Sequence, residues 1–137
     1  MIQHKVLAKK NYAYIEFRGQ PSLAGFISAM RLFVNDPDYS ADLHRLCDFS
    51  QADMSHINIG SLMHFVEYSK AKIPLHRHTR CAIVATEADR GGILEAFTAQ
   101  MDTGNFRVFY NPADAVKWIK KAPAKPAIFD KILGGVA

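Results

Sequence analysis

The segment from Leu43 to Gly60 constrains the fold of this chain more than any other. Its first half alternates between two sets of side chains that both include apolar residues, namely Leu43, Arg45, Cys47 and Phe49 on one side and His44, Leu46, Asp48 and Ser50 on the other. Apolar residues on both faces are typical of a strand that helices cover on each side. The second half is polar and leads into a helix. We therefore expect a buried central strand, its polar exit and a helix start.

The rest of the chain alternates predicted strands and helices. Four further strands are expected over residues 3–9, 12–18, 80–86 and 105–110, the first two joined as a hairpin. Apolar residues at three-and-four spacing predict four helices, which begin near Ser22, Asn58 or Ile59, Thr86 or Asp89, and Asn111. This order predicts an α/β domain with a five-stranded, mainly parallel (mixed) sheet, whose first strand is antiparallel, and about four helices.

Length and composition exclude several classes of protein. With 137 residues, 49% of them hydrophobic and 22% charged, the chain has ordinary globular values and can bury one core. No apolar run approaches the roughly 18 residues of a membrane span, and residues 1–5 lack the apolar core of a signal peptide, so we expect a cytoplasmic protein. The net charge of +4 is a modest excess, and a nucleic-acid partner is not expected.

A proline-containing segment divides the chain near its end. We expect the α/β domain to occupy residues 1–121 and a linker and C-terminal tail to occupy residues 122–137. Within the tail, one helical face would carry the apolar residues Ile128, Phe129, Ile132 and Leu133. So short a helix needs a surface for its apolar face, which predicts a homodimer through residues 127–137. A frayed tail, or one docked on its own domain, is the alternative.

The polar exits of the strands are where a ligand or partner is expected. In an open parallel sheet, ligands bind beyond the carboxyl ends of the strands. The candidate ligand- or partner-binding residues are therefore Asp48, Ser50, Ser55, Asn58, Gly60, Ser61 and Thr86. The serines and acids of this region, together with His56, would also suit a small hydrolase-type enzyme that uses the exit between Asp48 and Ser55. The chain has no Gly-x-Ser-x-Gly motif and such turns need polar caps anyway, so we assign no catalytic residue.

Neither a metal nor a cofactor is predicted. His76 and His78 would place two imidazoles on one side of an extended segment, but no metal-binding motif or dense carboxylate cluster accompanies them, and we interpret them as part of a solvated basic loop. The turn at Gly91 follows two acidic residues that would repel a phosphate group. Cys47 and Cys81 lie in predicted strands, so we expect both thiols to be reduced and slow to react.

Two motifs resemble a known family. Residues 46–50, Leu-Cys-Asp-Phe-Ser, lead through Ile-Asn-Ile-Gly at 57–60 into a helix, and residues 108–119 form a strand followed by an Ala-x-x-Trp helix. Together they resemble the STAS domains of the SpoIIAA-like superfamily, the anti-sigma factor antagonists and their relatives, and above all a divergent bacterial branch. The resemblance covers about residues 3–121. It implies a SpoIIAA/STAS-like fold and a non-catalytic regulatory or protein-interaction domain, to which we add a small apolar ligand held between sheet and helices.

The chain departs from the family at the start of the second helix. The antagonists carry an Asp-Ser-small-Gly motif there, whose serine is phosphorylated by a partner kinase. Gly60 matches the glycine, but Ile57 replaces the aspartate and Asn58 replaces the serine. An asparagine can cap a helix but cannot accept a phosphoryl group. The resemblance therefore implies no kinase switch at Asn58, and only Ser55 and Ser61 are nearby substitutes.

Overall fold

The computed structural model describes residues 1–101 and 104–122, which form a mixed five-stranded sheet with four α-helices. The strands are β1 (Ile2–Leu7), β2 (Tyr12–Gly19), β3 (His44–Ala52), β4 (Cys81–Val84) and β5 (Phe106–Phe109). The helices are α1 (Leu23–Val34), α2 (Ile59–Lys72), α3 (Ile93–Met101) and α4 (Pro112–Lys120), with short 3₁₀ turns at Ala8–Lys10 and Glu87–Asp89. The tail at residues 127–137, with its predicted homodimer, lies outside the described residues.

The strands follow one another across the sheet in chain order. β1 pairs antiparallel with β2, and the pairs β2–β3, β3–β4 and β4–β5 are all parallel. The predicted mainly parallel sheet with an antiparallel first strand is therefore confirmed. Its middle strand is β3, as the two-sided apolar pattern indicates.

The order of the strands determines which face each helix covers. Crossovers between parallel strands are almost always right-handed, so crossovers that all move in one direction across a sheet lie on the same face. Accordingly α1, α2 and α3 pack on one face, with the sheet residues Ile15, Phe17 and Phe49. The opposite face is covered by α4, where Ala115 and Ile119 pack with Leu46, Ala82 and Val84.

Three of the four predicted helix starts carry the expected cap. The Ser22 hydroxyl accepts a hydrogen bond from the Gly25 amide at 3.0 Å. The Asn58 side chain accepts one from the Ser61 amide at 2.9 Å, and the Asn111 side chain caps α4 in the same way. Each cap satisfies an amide group that the helix itself leaves without an acceptor.

The third helix begins later than predicted. Thr86 precedes only the short 3₁₀ turn, and α3 starts at Ile93. Between them Gly91 adopts a φ of +73°, in the left-handed region, and a side chain on Gly92 would approach the Asp89 carbonyl oxygen to 2.8 Å. The glycine pair therefore interrupts the segment that periodicity assigns to one helix.

The second helix buries fewer residues than predicted. Leu62 and Val66 are buried, but Ile59 and Met63, also expected to be buried, are 69% and 36% exposed. These two residues lie one turn apart on the same side of the helix, so α2 presents a small apolar patch to solvent.

Replacing Asn58 by alanine should lower the free energy of unfolding by about 1 kcal/mol, because the Ser61 amide loses its acceptor. Asn58→Ser, which keeps an accepting oxygen, is the matched control and should stay close to wild type. Urea denaturation of the three proteins measures the difference. An alanine variant as stable as wild type would show that the cap contributes nothing.

Candidate functional site

An apolar cavity lies between the sheet and the three helices of one face. Its volume is about 80 Å³, several times the roughly 10–15 Å³ that one water needs. Its lining is mostly apolar and comes from both layers, including Phe17, Phe49 and Ile83 of the sheet and Phe26, Phe65 and Leu94 of the helices. Such concave apolar spaces with a few polar groups are the usual form of a small-molecule site.

A buried arginine contributes the charged group of this cavity. Arg45 lies on β3 and is only 4% exposed. Its Nη1 donates to the Ile73 carbonyl oxygen at 3.1 Å and its Nη2 to the Tyr39 hydroxyl at 3.4 Å, while the guanidinium carbon lies 5.5 Å from the centre of the Phe33 ring. Among the residues that the structure describes, no carboxylate lies within 4 Å of this guanidinium.

Two polar atoms at the cavity are buried without a partner. In the described part of the chain, neither the Nε of Arg45 nor the hydroxyl of Ser69 makes a hydrogen bond. Ser69 is 3% exposed and lies in α2, one turn before Ile73, the residue whose carbonyl group accepts from Arg45. Both residues line the cavity. Buried polar groups normally find partners, so these two unsatisfied groups distinguish the cavity from an ordinary apolar core.

The two cysteines also line the cavity. The sulfur atoms of Cys47 and Cys81 lie 3.9 Å apart, too far for a disulfide, and both thiols are free. Cys81 is buried and Cys47 half-buried, and Cys81 pairs in register with Arg45. The neighbouring thiol and burial raise the pKa of Cys47 well above its usual range.

Asp48 and Ser50, which the sequence places at the strand exit, lie within β3, because the strand continues to Ala52. One Asp48 carboxylate oxygen accepts a hydrogen bond from the Tyr14 hydroxyl, and the other accepts one from the Ser50 amide at 2.9 Å. Burial would raise the pKa of Asp48, but the hydrogen bonds from Ser50 and Tyr14 outweigh it and hold that pKa below its usual range. Burial, together with the Asp48 contact, raises the pKa of Tyr14.

The other predicted site residues serve local turns and caps. Hydrogen bonds from the hydroxyl and the amide of Ser55, together with one from Gln20, lower the pKa of Asp53 to about 2. Ser61 and Gly60 lie at the Asn58 cap, and the Thr86 hydroxyl donates to Asp89 at 2.9 Å. None of the seven predicted residues lines the cavity. They remain candidates for contact with a partner at the rim.

His56 does not form a catalytic arrangement with the nearby serines. A ring nitrogen of His56 lies 2.6 Å from the Pro21 carbonyl oxygen, which links the loop after β3 to the loop after β2. Within residues 1–101 and 104–122, no hydrogen bond joins a serine hydroxyl to this imidazole. The nucleophile–base pair of a hydrolase is therefore not assembled at this exit.

A cluster of possible metal ligands lies at the amino ends of the strands, away from their polar exits. Asp42, His76 and His78 place their ligand atoms within 4.8 Å of one another, just before β3 and β4. Sequence reasoning considered the two histidines and missed Asp42, which is 34 residues from His76. Oδ1 of Asp42 already contacts Nδ1 of His76 and Nε2 of His78, the latter at 3.1 Å. Hydrogen bonding thus accounts for the cluster without an ion, although a zinc-like cation would suit the same ligands.

The comparisons with known proteins place this chain by its fold. No family model and no curated protein matches it. Among solved structures, it is similar to the crystal structure of an uncharacterized protein of the DUF3478 family with a SpoIIAA-like fold, from Shewanella loihica PV-4. The two are 13% identical with a TM-score of 0.57 over 87% of this chain and 92% of that one. The chain therefore has the SpoIIAA-like fold that the sequence motifs predicted.

None of the helices in residues 1–101 and 104–122 is long and apolar enough to cross a membrane. The longest, α2, has 14 residues, whereas a span needs about 20.

Both thiols should react slowly with iodoacetamide in the folded protein, at least about tenfold more slowly than in guanidinium chloride, because the helices of one face cover both of them. Mass spectrometry of time points gives the rate at each cysteine. Single Cys47→Ala and Cys81→Ala variants assign the sites. Equal rates in the folded and unfolded protein would contradict the burial described above.

Removing the Tyr14 hydroxyl should change how stability depends on pH. The folded pKa of Asp48 lies below its ordinary 3.8. The stabilisation that its carboxylate gives the folded state is therefore fully present above pH 3.8 and is lost as the pH falls through the folded pKa. Tyr14→Phe should therefore cost about 1 kcal/mol near neutral pH and less near pH 3. Tyr12→Phe, on the same face, is the control. Urea denaturation at both pH values measures the free energy of unfolding. An equal loss for Tyr14→Phe at the two pH values would contradict the expectation.

Proposed function

We propose that this protein is a non-catalytic regulatory domain that holds a small apolar ligand in the cavity between its sheet and α1–α3. The observation that carries this proposal is the cavity itself, enclosed by rings and aliphatic side chains from both layers. At about 24 cal/mol per Å³, an empty apolar space of this size costs on the order of 2 kcal/mol. A ligand that fills it recovers part of that free energy, which supports binding of a small molecule.

The second helix has one side at the cavity and another exposed to solvent. Leu62 and Phe65 of α2 line the cavity, while Ile59 and Met63 of the same helix are exposed. A ligand that displaces this helix would also move the exposed patch. This supports a regulatory role in which the ligand controls contact with a protein partner, and it is the second part of the proposal.

A hydrolase at the exit of β3 has less support. Catalysis needs a nucleophile and a base in hydrogen-bond contact, and His56 instead contacts Pro21. The Asp48 carboxyl has a lowered pKa, whereas a general base or acid at neutral pH needs a raised one. The binding module is thus the better supported candidate.

Filling the cavity should abolish binding of a small apolar probe. In wild-type protein, 1-hexanol should shift the amide resonances of cavity-lining residues in ¹⁵N–¹H spectra. Ile93→Trp places an indole at the cavity lining and should weaken this binding at least about tenfold. Leu32→Trp adds the same ring at a position that is 68% exposed and should bind like wild type.

Two results would contradict the proposal. One is wild-type protein that shows no saturable shifts with 1-hexanol. The other is saturable shifts that Ile93→Trp leaves unchanged, because the probe would then bind outside the cavity.

A further inference from the structure

We propose that the natural ligand is an amphipathic anion, a small apolar molecule with one carboxylate that Arg45 binds inside the cavity. This inference rests on the proposed function, since it names the chemistry of the ligand at the same site. It starts from a buried positive charge for which the described residues provide no negative partner.

The position of Arg45 is energetically unusual. A buried charge normally has an opposite charge beside it, because removing an ion from water is expensive. Arg45 is 4% exposed, and no described carboxylate lies within 4 Å of it. Its neighbours on the same face of the sheet are the free thiols of Cys47 and Cys81, neither of which is a carboxylate. The charge that would compensate this guanidinium is therefore expected to arrive with a ligand.

The N–H groups of Arg45 that have no acceptor among the described residues also allow an anion to bind. A guanidinium carries five N–H groups. The Ile73 carbonyl oxygen and the Tyr39 hydroxyl accept two of them, and within the described residues the Nε atom has no acceptor. A carboxylate has two accepting oxygens and suits the planar fork of a guanidinium better than any neutral group.

Ser69 supplies a second donor in the same cavity. Its hydroxyl is buried without a partner in the described chain. It precedes Ile73, whose carbonyl oxygen accepts a hydrogen bond from Arg45, by one turn of α2, and all three residues line the cavity. A carboxylate there would satisfy two orphaned polar groups at once, which neither a hydrocarbon nor a cation could do.

The remainder of the cavity suits an apolar chain. Along β3 the same face continues from Arg45 through Cys47 to Phe49, about 13 Å further on, and Met54 and Ile57 line the cavity beyond. These side chains offer no strong hydrogen-bonding group. The site is thus polar at one end and apolar along its length, which predicts a short-chain aliphatic or aromatic carboxylate.

The test compares a charged probe with two neutral probes of the same chain length. Hexanoate, methyl hexanoate and 1-hexanol are titrated into the full chain near pH 7, and dissociation constants are read from ¹⁵N–¹H spectra. Wild-type protein should bind hexanoate at least tenfold more tightly than either neutral probe. Arg45→Met should remove this preference, so that the folded variant binds hexanoate no more tightly than the neutral probes, and Ser69→Ala should reduce the preference in part.

The neutral probes keep the test decisive even if Arg45→Met fails to fold, because they remove the charge from the ligand and leave the protein unchanged. Equal affinity of wild type for hexanoate and methyl hexanoate would overturn this inference while the proposed function stands. A hexanoate preference that survives in folded Arg45→Met would also overturn it, since the carboxylate would then bind elsewhere. If no probe binds, the proposed function fails, and this inference fails with it.

Discussion

The burial of β3 on both faces is the constraint on which the rest of the structure depends. A strand with apolar side chains above and below must be covered twice, and it must have a neighbour on each edge to satisfy its amide and carbonyl groups. The five-stranded sheet and its two helical layers meet that requirement. One layer packs tightly, with α4 over Leu46 and Val84, whereas the other encloses a cavity. The same strand therefore supports a closed core on one side and a binding site on the other.

Much of the fold could be predicted from the sequence because its signals are local. The apolar alternation of β3, the helix caps Ser22, Asn58 and Asn111, and the antiparallel first hairpin all depend on neighbouring residues. What could not be predicted depends on long-range contacts. The assignment of α1–α3 to one face follows from the order of strands in the sheet. Likewise, the exposure of Ile59 and Met63 depends on which side of α2 meets that sheet.

The candidate site shows the same difference between local signals and long-range contacts. The sequence predicts a small apolar ligand between sheet and helices, but the residues it names lie at the polar strand exits, where Asn58 and Thr86 serve a local cap and a turn. It names none of the residues that line the cavity. A usable signal was nevertheless present, since Arg45 is a charged residue in an otherwise apolar row of a buried strand. That signal could not be interpreted without knowing that Ser69, 24 positions later, faces the same space. No periodicity links a strand residue to a helix residue in this way.

The chain order of the strands has a further consequence for how the molecule assembles. Each strand pairs with the one made just before it, so the sheet can grow during synthesis by adding one β-α unit at a time. Until α3 and β5 have both been made, the β4 edge stays open and the cavity lacks the residues that these two elements contribute to its wall. The binding site is thus among the last parts to be completed, and a partly synthesised chain could not retain a ligand there. Ligand binding would then report a finished domain rather than assist its early folding.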